Sequence, residues 1–127
     1  MVRPEYKNSR DLTFSKWHRT LGRNFYAMNL DWIEYHFINN ILTIVGLIED
    51  KDERANVSYW MENKAPVLLQ ISEKLNVPAY LVLHNCNQET ELNPEIWRFN
   101  IVNLKTNNKE TVNKDGYKNF LVNLRRH

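Results

Sequence analysis

The chain has one cysteine, Cys86, and three glycines among its 127 residues. A lone cysteine excludes an internal disulfide framework and suits a reducing compartment. With so little glycine there is no glycine-rich phosphate loop, and neither Gly-x-Ser-x-Gly nor His-Glu-x-x-His occurs. The longest apolar run, 41–48, is interrupted by Thr43 and Gly46 and is far too short for a bilayer. The opening segment, MVRPEYKNSRDLTFSKW, lacks the apolar stretch of a secretory signal. The expectation is a cytoplasmic protein without membrane contact. No repeat, low-complexity tract or linker divides the chain, so one domain over 1–127 is predicted.

Hydrophobic residues make up 43% of the chain and charged residues 25%, as in ordinary globular domains. The net charge of +2 is unevenly placed. Arg3, Lys7, Arg10, Lys16, Arg19 and Arg23 stand against Glu5 and Asp11 in the first thirty residues, which leaves the remainder slightly acidic. A basic end of this kind suits a polyanionic partner, although a solvated helix face looks the same in sequence.

Thr13 is placed to cap a short helix, TFSKWHRTLG, with Phe14, Trp17 and Leu21 on one face and Gly22 as its stop. Two runs rich in β-branched and aromatic residues follow, 30–38 and 41–49. Asn39-Asn40 between them tolerates the positive φ of a tight hairpin turn. The segment 52–64 reads as either loop or short helix. From Pro66, Val67, Leu68, Ile71 and Leu75 recur at helical spacing, and Asn76 is a plausible stop. Residues 79–85 and 96–104 read as two further strands. Asn113 caps a last helix whose stripe is Tyr117, Phe120, Leu121 and Leu124. The order αββαββα predicts an α/β sandwich around a mixed four-stranded sheet.

The ends of the hairpin carry the chemistry. Alternation along a strand puts Glu49 and Lys51 on one face and Asp50 on the other. If pairing is centred on Asn40, Asp31 stands opposite Glu49, and Ile33, Tyr35, Phe37, Val45 and Leu47 gather beneath a helix. Pairing centred between Asn39 and Asn40 would instead set Asp31 opposite Ile48 and part the carboxylates. The first register is the one expected, because it collects the apolar residues. Two adjacent carboxylates repel, so such a site calls for a cation or for one protonated member. Hard oxygen donors suit Mg²⁺ or Mn²⁺, and Lys51 is placed to orient a water and offset negative charge.

An aspartate opening one strand and (D/E)-x-K closing the next resembles the PD-(D/E)XK nuclease superfamily. Here the matching residues are Asp31 and Glu49-Asp50-Lys51. TFSKWHRTLG followed by LDWIEYH is also similar to small proteins grouped with these nucleases. The resemblance implies a restriction-endonuclease-like fold and hydrolysis of DNA or RNA phosphodiesters. It implies that Asp31, Glu49 and the Asp50 carbonyl hold the metal and that Lys51 is catalytic. Gln70, on the following helix, matches a glutamine that some members carry. The chain departs from the pattern in having Leu30 where the proline usually stands and no glutamate on its first helix. Asp50, Asp52 and Glu53 also crowd the site with negative charge. A nuclease fold that binds nucleic acid or protein without turnover is the alternative.

Lys16, His18, Arg19 and Arg23 are the candidate phosphate contacts. A chain this short leaves no room for a separate recognition domain, so specificity would come from a homodimer or a partner subunit. His84 and Cys86 lack the second close pair of a zinc site, and Cys86 is expected to be a small buried thiol. His36 is expected to be structural, while Trp32, Trp60 and Trp97 suit either core packing or base stacking.

Overall fold

The computed structural model describes residues 12–126. Its centre is a five-stranded mixed sheet in the order β1 (Trp32–Ile38), β2 (Ile41–Asp52), β3 (Ala79–His84), β4 (Arg98–Asn103) and β5 (Lys109–Asn113). Only β2 and β3 run parallel; the other neighbours are antiparallel. The parallel step needs a crossover, supplied by α2 (Ser58–Asn63) and α3 (Ala65–Leu75). α1 (Thr13–Arg19) precedes the sheet and α4 (Lys114–Leu124) ends the chain.

Alternation on the central strands builds two cores. Leu47, Leu81 and Val102 pack with Trp60, Ala65 and Leu68 of α2 and α3. Ile48, Val82 and Ile101 face the other way and pack with Tyr117, Phe120 and Leu121 of α4. Gly46 lets α4 come close: a Cβ there would lie 3.2 Å from the Leu124 side chain. α4 begins as expected, with the Gly116 N–H donating to Asn113 Oδ1 at 2.8 Å. α3 ends as expected at Asn76, whose φ of 55° is left-handed.

The sheet has five strands rather than the predicted four. β5 is the one missed: in Lys-Glu-Thr-Val-Asn only Val112 is even partly covered, so no apolar alternation marks it. Its charges suit an edge, where they discourage pairing with another chain. The ambiguous stretch divides into the end of β2, a turn and α2. On α3 the buried stripe is Ala65, Leu68 and Ser72, while Val67, Ile71 and Leu75 of the predicted stripe are exposed. Thr13 does not cap α1, whose N-cap is Leu12. No residue of α1 is buried, and its expected core residues Phe14 and Trp17 face solvent.

The hairpin combines both registers weighed from the sequence. Asn39 and Asn40 both have positive φ, 51° and 65°, as a two-residue turn requires. Pairing therefore starts centred between them, from Ile38↔Ile41 to Tyr35↔Ile44. A β-bulge at Val45 then shifts it to Glu34↔Gly46, Ile33↔Leu47 and Trp32↔Ile48. Extended one step past the last pair, this register sets Asp31 opposite Glu49, in keeping with the Asp50 N–H donating to Asp31 Oδ2. The expected register thus holds at the site and fails near the turn, where Tyr35 and Phe37 face Ile44 and Leu42. Ile33, Tyr35 and Phe37 are exposed rather than covered by a helix; of the expected apolar group only Val45 and Leu47 are buried.

Candidate active site

Asp31 immediately precedes β1, and its Oδ2 accepts the Asp50 backbone N–H at 3.0 Å. That bond ties the start of the hairpin to its end. Glu49, on the α2–α3 face, is only 7% exposed. Lys51 Nζ lies 3.6 Å from Glu49 Oε2 and 5.9 Å from the centre of the Trp60 ring. Glu49 Oε1 is buried and, with both acids ionised, has no hydrogen-bond partner among the described residues; a protonated Glu49 hydrogen-bonds Asp31 instead. Burial pushes the Glu49 carboxyl above its ordinary range, the nearby Asp31 charge adds to this, and Lys51 opposes it.

These groups share a cavity of about 430 Å³ that also takes in Asn29, Trp60 and Lys64. Lys64 went unnoticed in sequence. It stands at the N-cap of α3, a position that only the crossover brings beneath the hairpin end. Gln70 is not brought to the site: it is exposed on α3 and does not line the cavity. α3 turns Ala65, Leu68 and Ser72 to the core, which leaves residue 70 facing away.

The acidic crowding is dispersed by local pairing. Asp50 points to the α4 face, where its Oδ2 accepts Trp32 Nε1–H at 2.5 Å and its Oδ1 lies 2.9 Å from His84 Nε2. Arg54 holds Asp52 through two contacts of 2.9 and 3.2 Å and lowers its pKa to about 2. Arg98 clasps Glu53 at 2.5 and 2.9 Å. The cavity itself therefore carries two carboxylates and two ammonium groups.

His18 and Arg19 of α1 line an adjoining cavity of about 420 Å³, which shares Ala27, Met28 and Asn29 with the first. Lys16 and Arg23 are exposed and line neither. Arg3, Lys7, Arg10, Glu5 and Asp11 lie outside the described residues. Trp60 is core, Trp97 donates to the Thr90 carbonyl at 2.9 Å, and Cys86 is partly buried, with its thiol pushed up by that burial. His36 is exposed.

Asp31 and Glu49 fit a divalent cation in donor type, and the orphaned Glu49 oxygen is the atom such an ion would satisfy. Among the described residues no three or more His, Cys, Asp or Glu side chains form a metal-holding group, so backbone oxygen and water would complete the shell. No described helix is long and apolar enough to cross a membrane. Comparison with family models, curated proteins and solved structures yields no match for this chain.

Proposed function

We propose that this protein is a metal-dependent phosphodiester hydrolase of the PD-(D/E)XK type, acting on DNA or RNA. The observation that carries the reading is the buried, partnerless Glu49 oxygen beside Asp31 and Lys51 at the hairpin end. Buried side-chain oxygens are nearly always bonded to protein or to water, so one without a protein partner marks a place for a water or an ion.

Asp31, Glu49 and the Asp50 carbonyl would hold Mg²⁺ or Mn²⁺. When bound, the ion supplies stabilisation of charge on a phosphoryl oxygen and acidifies a water. Lys51, kept upright between Glu49 and the Trp60 ring, orients the attacking water and offsets negative charge as the bond to phosphorus forms. Lys64 adds a second cation on the same side. His18 and Arg19 extend the basic surface from the adjoining cavity and hold the flanking phosphates, positioning the strand without reading its bases. Gln70 has no part in this arrangement.

Calorimetry of Mg²⁺ and Mn²⁺, followed by cleavage assays on single- and double-stranded DNA and RNA with a chelator control, tests the reading. Metal binding at about millimolar or tighter, lost in Asp31→Ala/Glu49→Ala, supports it. A folded protein that binds nucleic acid without metal and cleaves none of the four substrates would sink it. The second reading, a binding module of the same fold without turnover, is favoured by the small donor set of two carboxylates. Metal-independent retention of the strand distinguishes it.

A further inference from the structure

The opposite face of the sheet holds a second cavity, of about 490 Å³, between the sheet and α4. Its size is that of small-molecule sites. Trp32, Trp97, Phe99 and Tyr117 form its aromatic walls. The polar groups within it are arranged in a definite sense. Cys86 N–H donates to His84 Nδ1 at 3.2 Å, so the neutral ring carries its proton on Nε2 and points it at Asp50 Oδ1. Asp50 Oδ2 already accepts from Trp32. Each carboxylate oxygen has two lone pairs, so one on each remains for an incoming donor. Glu34, the other acid on the lining, is neutralised by Arg125 at 2.7 Å. At the rim stand Lys114 and Lys118, exposed and one helical turn apart, hence on one side of α4.

We propose that this cavity binds a nucleotide, with guanine preferred. Phe99 and Tyr117 stack on each other at 4.4 Å and so act as one wall; with Trp32 and Trp97 they bound a space suited to a flat ring, which stacks on such side chains. The inner carboxylate offers only acceptors, so it selects a ring edge that carries donors. Guanine alone among the four common bases presents two adjacent donors, N1–H and N2–H, spaced for both oxygens of one carboxylate. Adenine and cytosine offer one amino donor beside an acceptor, and uracil one N–H between two acceptors. The paired lysines complement the phosphate at the mouth. The ligand chemistry is the same for a free nucleotide and for a base within a strand. This site shares Asp50 with the Asp31–Glu49 cavity but opens on the opposite face of the sheet, and it does not depend on that cavity being hydrolytic.

The test is titration of the four nucleoside 5′-monophosphates in the presence of a chelator, followed by tryptophan fluorescence and amide chemical shifts. Saturable binding of GMP, about fivefold or more tighter than UMP, is expected, since a bidentate base contact discriminates by about 1–3 kcal/mol. Shifts should concentrate at His84, Cys86 and Tyr117. Lys114→Glu/Lys118→Glu should weaken GMP about tenfold while leaving guanosine unchanged. Asp31→Ala/Glu49→Ala should leave GMP binding intact, so that failure of the hydrolytic reading is separable. A single-stranded oligonucleotide with one guanine, compared with GMP, identifies the source: tighter binding with the same shifts means a base in a strand, weaker binding a free nucleotide. Absence of saturable GMP binding, equal affinity for all four, or shifts confined to Glu49 and Lys51 would overturn the proposal. Choline binding there in place of GMP would overturn it too, making the walls a cation cage.

Discussion

Glu49 and Asp50 are adjacent acids that the strand turns to opposite faces, and the fold treats them differently. Asp50 is partly exposed, yet both its oxygens are bonded, to Trp32 and to His84. Glu49 is more deeply buried and has one oxygen without a partner. Burying an unsatisfied acceptor costs about 1–3 kcal/mol. Asp50 is therefore held in one orientation by the fold, which also fixes where its remaining lone pairs point. Glu49 keeps one buried acceptor open, and that difference between the two acids is what the proposed function rests on.

The largest effect that would break this contrast lies with Lys51. If the Glu49 face is the reactive one, Lys51→Ala lowers cleavage about 10²–10⁴-fold, while Asn119→Ala, exposed on the α4 that covers the Asp50 face, leaves cleavage within about twofold. Single-turnover rates under saturating metal measure both. Equal losses in the two variants would erase the distinction between the faces.

Asp50→Ala comes next, and its readout is stability. The change removes the partner of the part-buried His84 Nε2 and of the exposed Trp32 indole N–H, which water can serve instead. A loss of about 1 kcal/mol in urea unfolding is expected, larger than for Asp52→Ala, whose carboxylate is held by the exposed Arg54. A smaller loss for Asp50 than for Asp52 would show that the first acid is not the one the fold holds in place.

Much of this site was readable because the period of a strand is two. Alternation alone separates Glu49 and Lys51 from Asp50, and Asn39-Asn40 marks the turn that brings Asp31 back to them. The bulge was hidden: Ile44, Val45 and Gly46 lie in an unbroken apolar run in which an extra residue leaves no trace. It was nonetheless decisive, since the turn alone would have set Asp31 opposite Ile48. β5 was hidden for the reverse reason, having almost nothing apolar to alternate. Lys64 and the Asp50–His84 pair depend on the crossover, which sets β3 beside β2 with Asp52 opposite His84; local sequence does not contain that register. Gln70 came from the family resemblance alone; which face of α3 it occupies was not readable, because the helix buries Ala65 and Ser72, small residues that weigh little in a hydrophobic pattern, in place of Val67 and Ile71.

The smallest predicted effect sharpens the comparison most. Burial and the Asp31 charge raise the native pKa of Glu49, with Lys51 opposing. Between its ordinary value and the raised one, the native state holds more proton than the unfolded chain. Stability from this group is therefore full at acid pH, falls as pH rises through that window, and stays lower at neutrality. Glu49→Gln removes the charge and lets the amide donate to Asp31. In chelator at pH 7 the variant should be more stable by about 1 kcal/mol, roughly 3–5 °C in Tm, and the gain should shrink toward zero near pH 4. Adding Mg²⁺ should reverse the order, because only the wild type gains from an ion that binds the native state. A variant less stable than wild type in chelator would mean that the Glu49 carboxylate is a satisfied group like Asp50, and the contrast between the two faces would collapse.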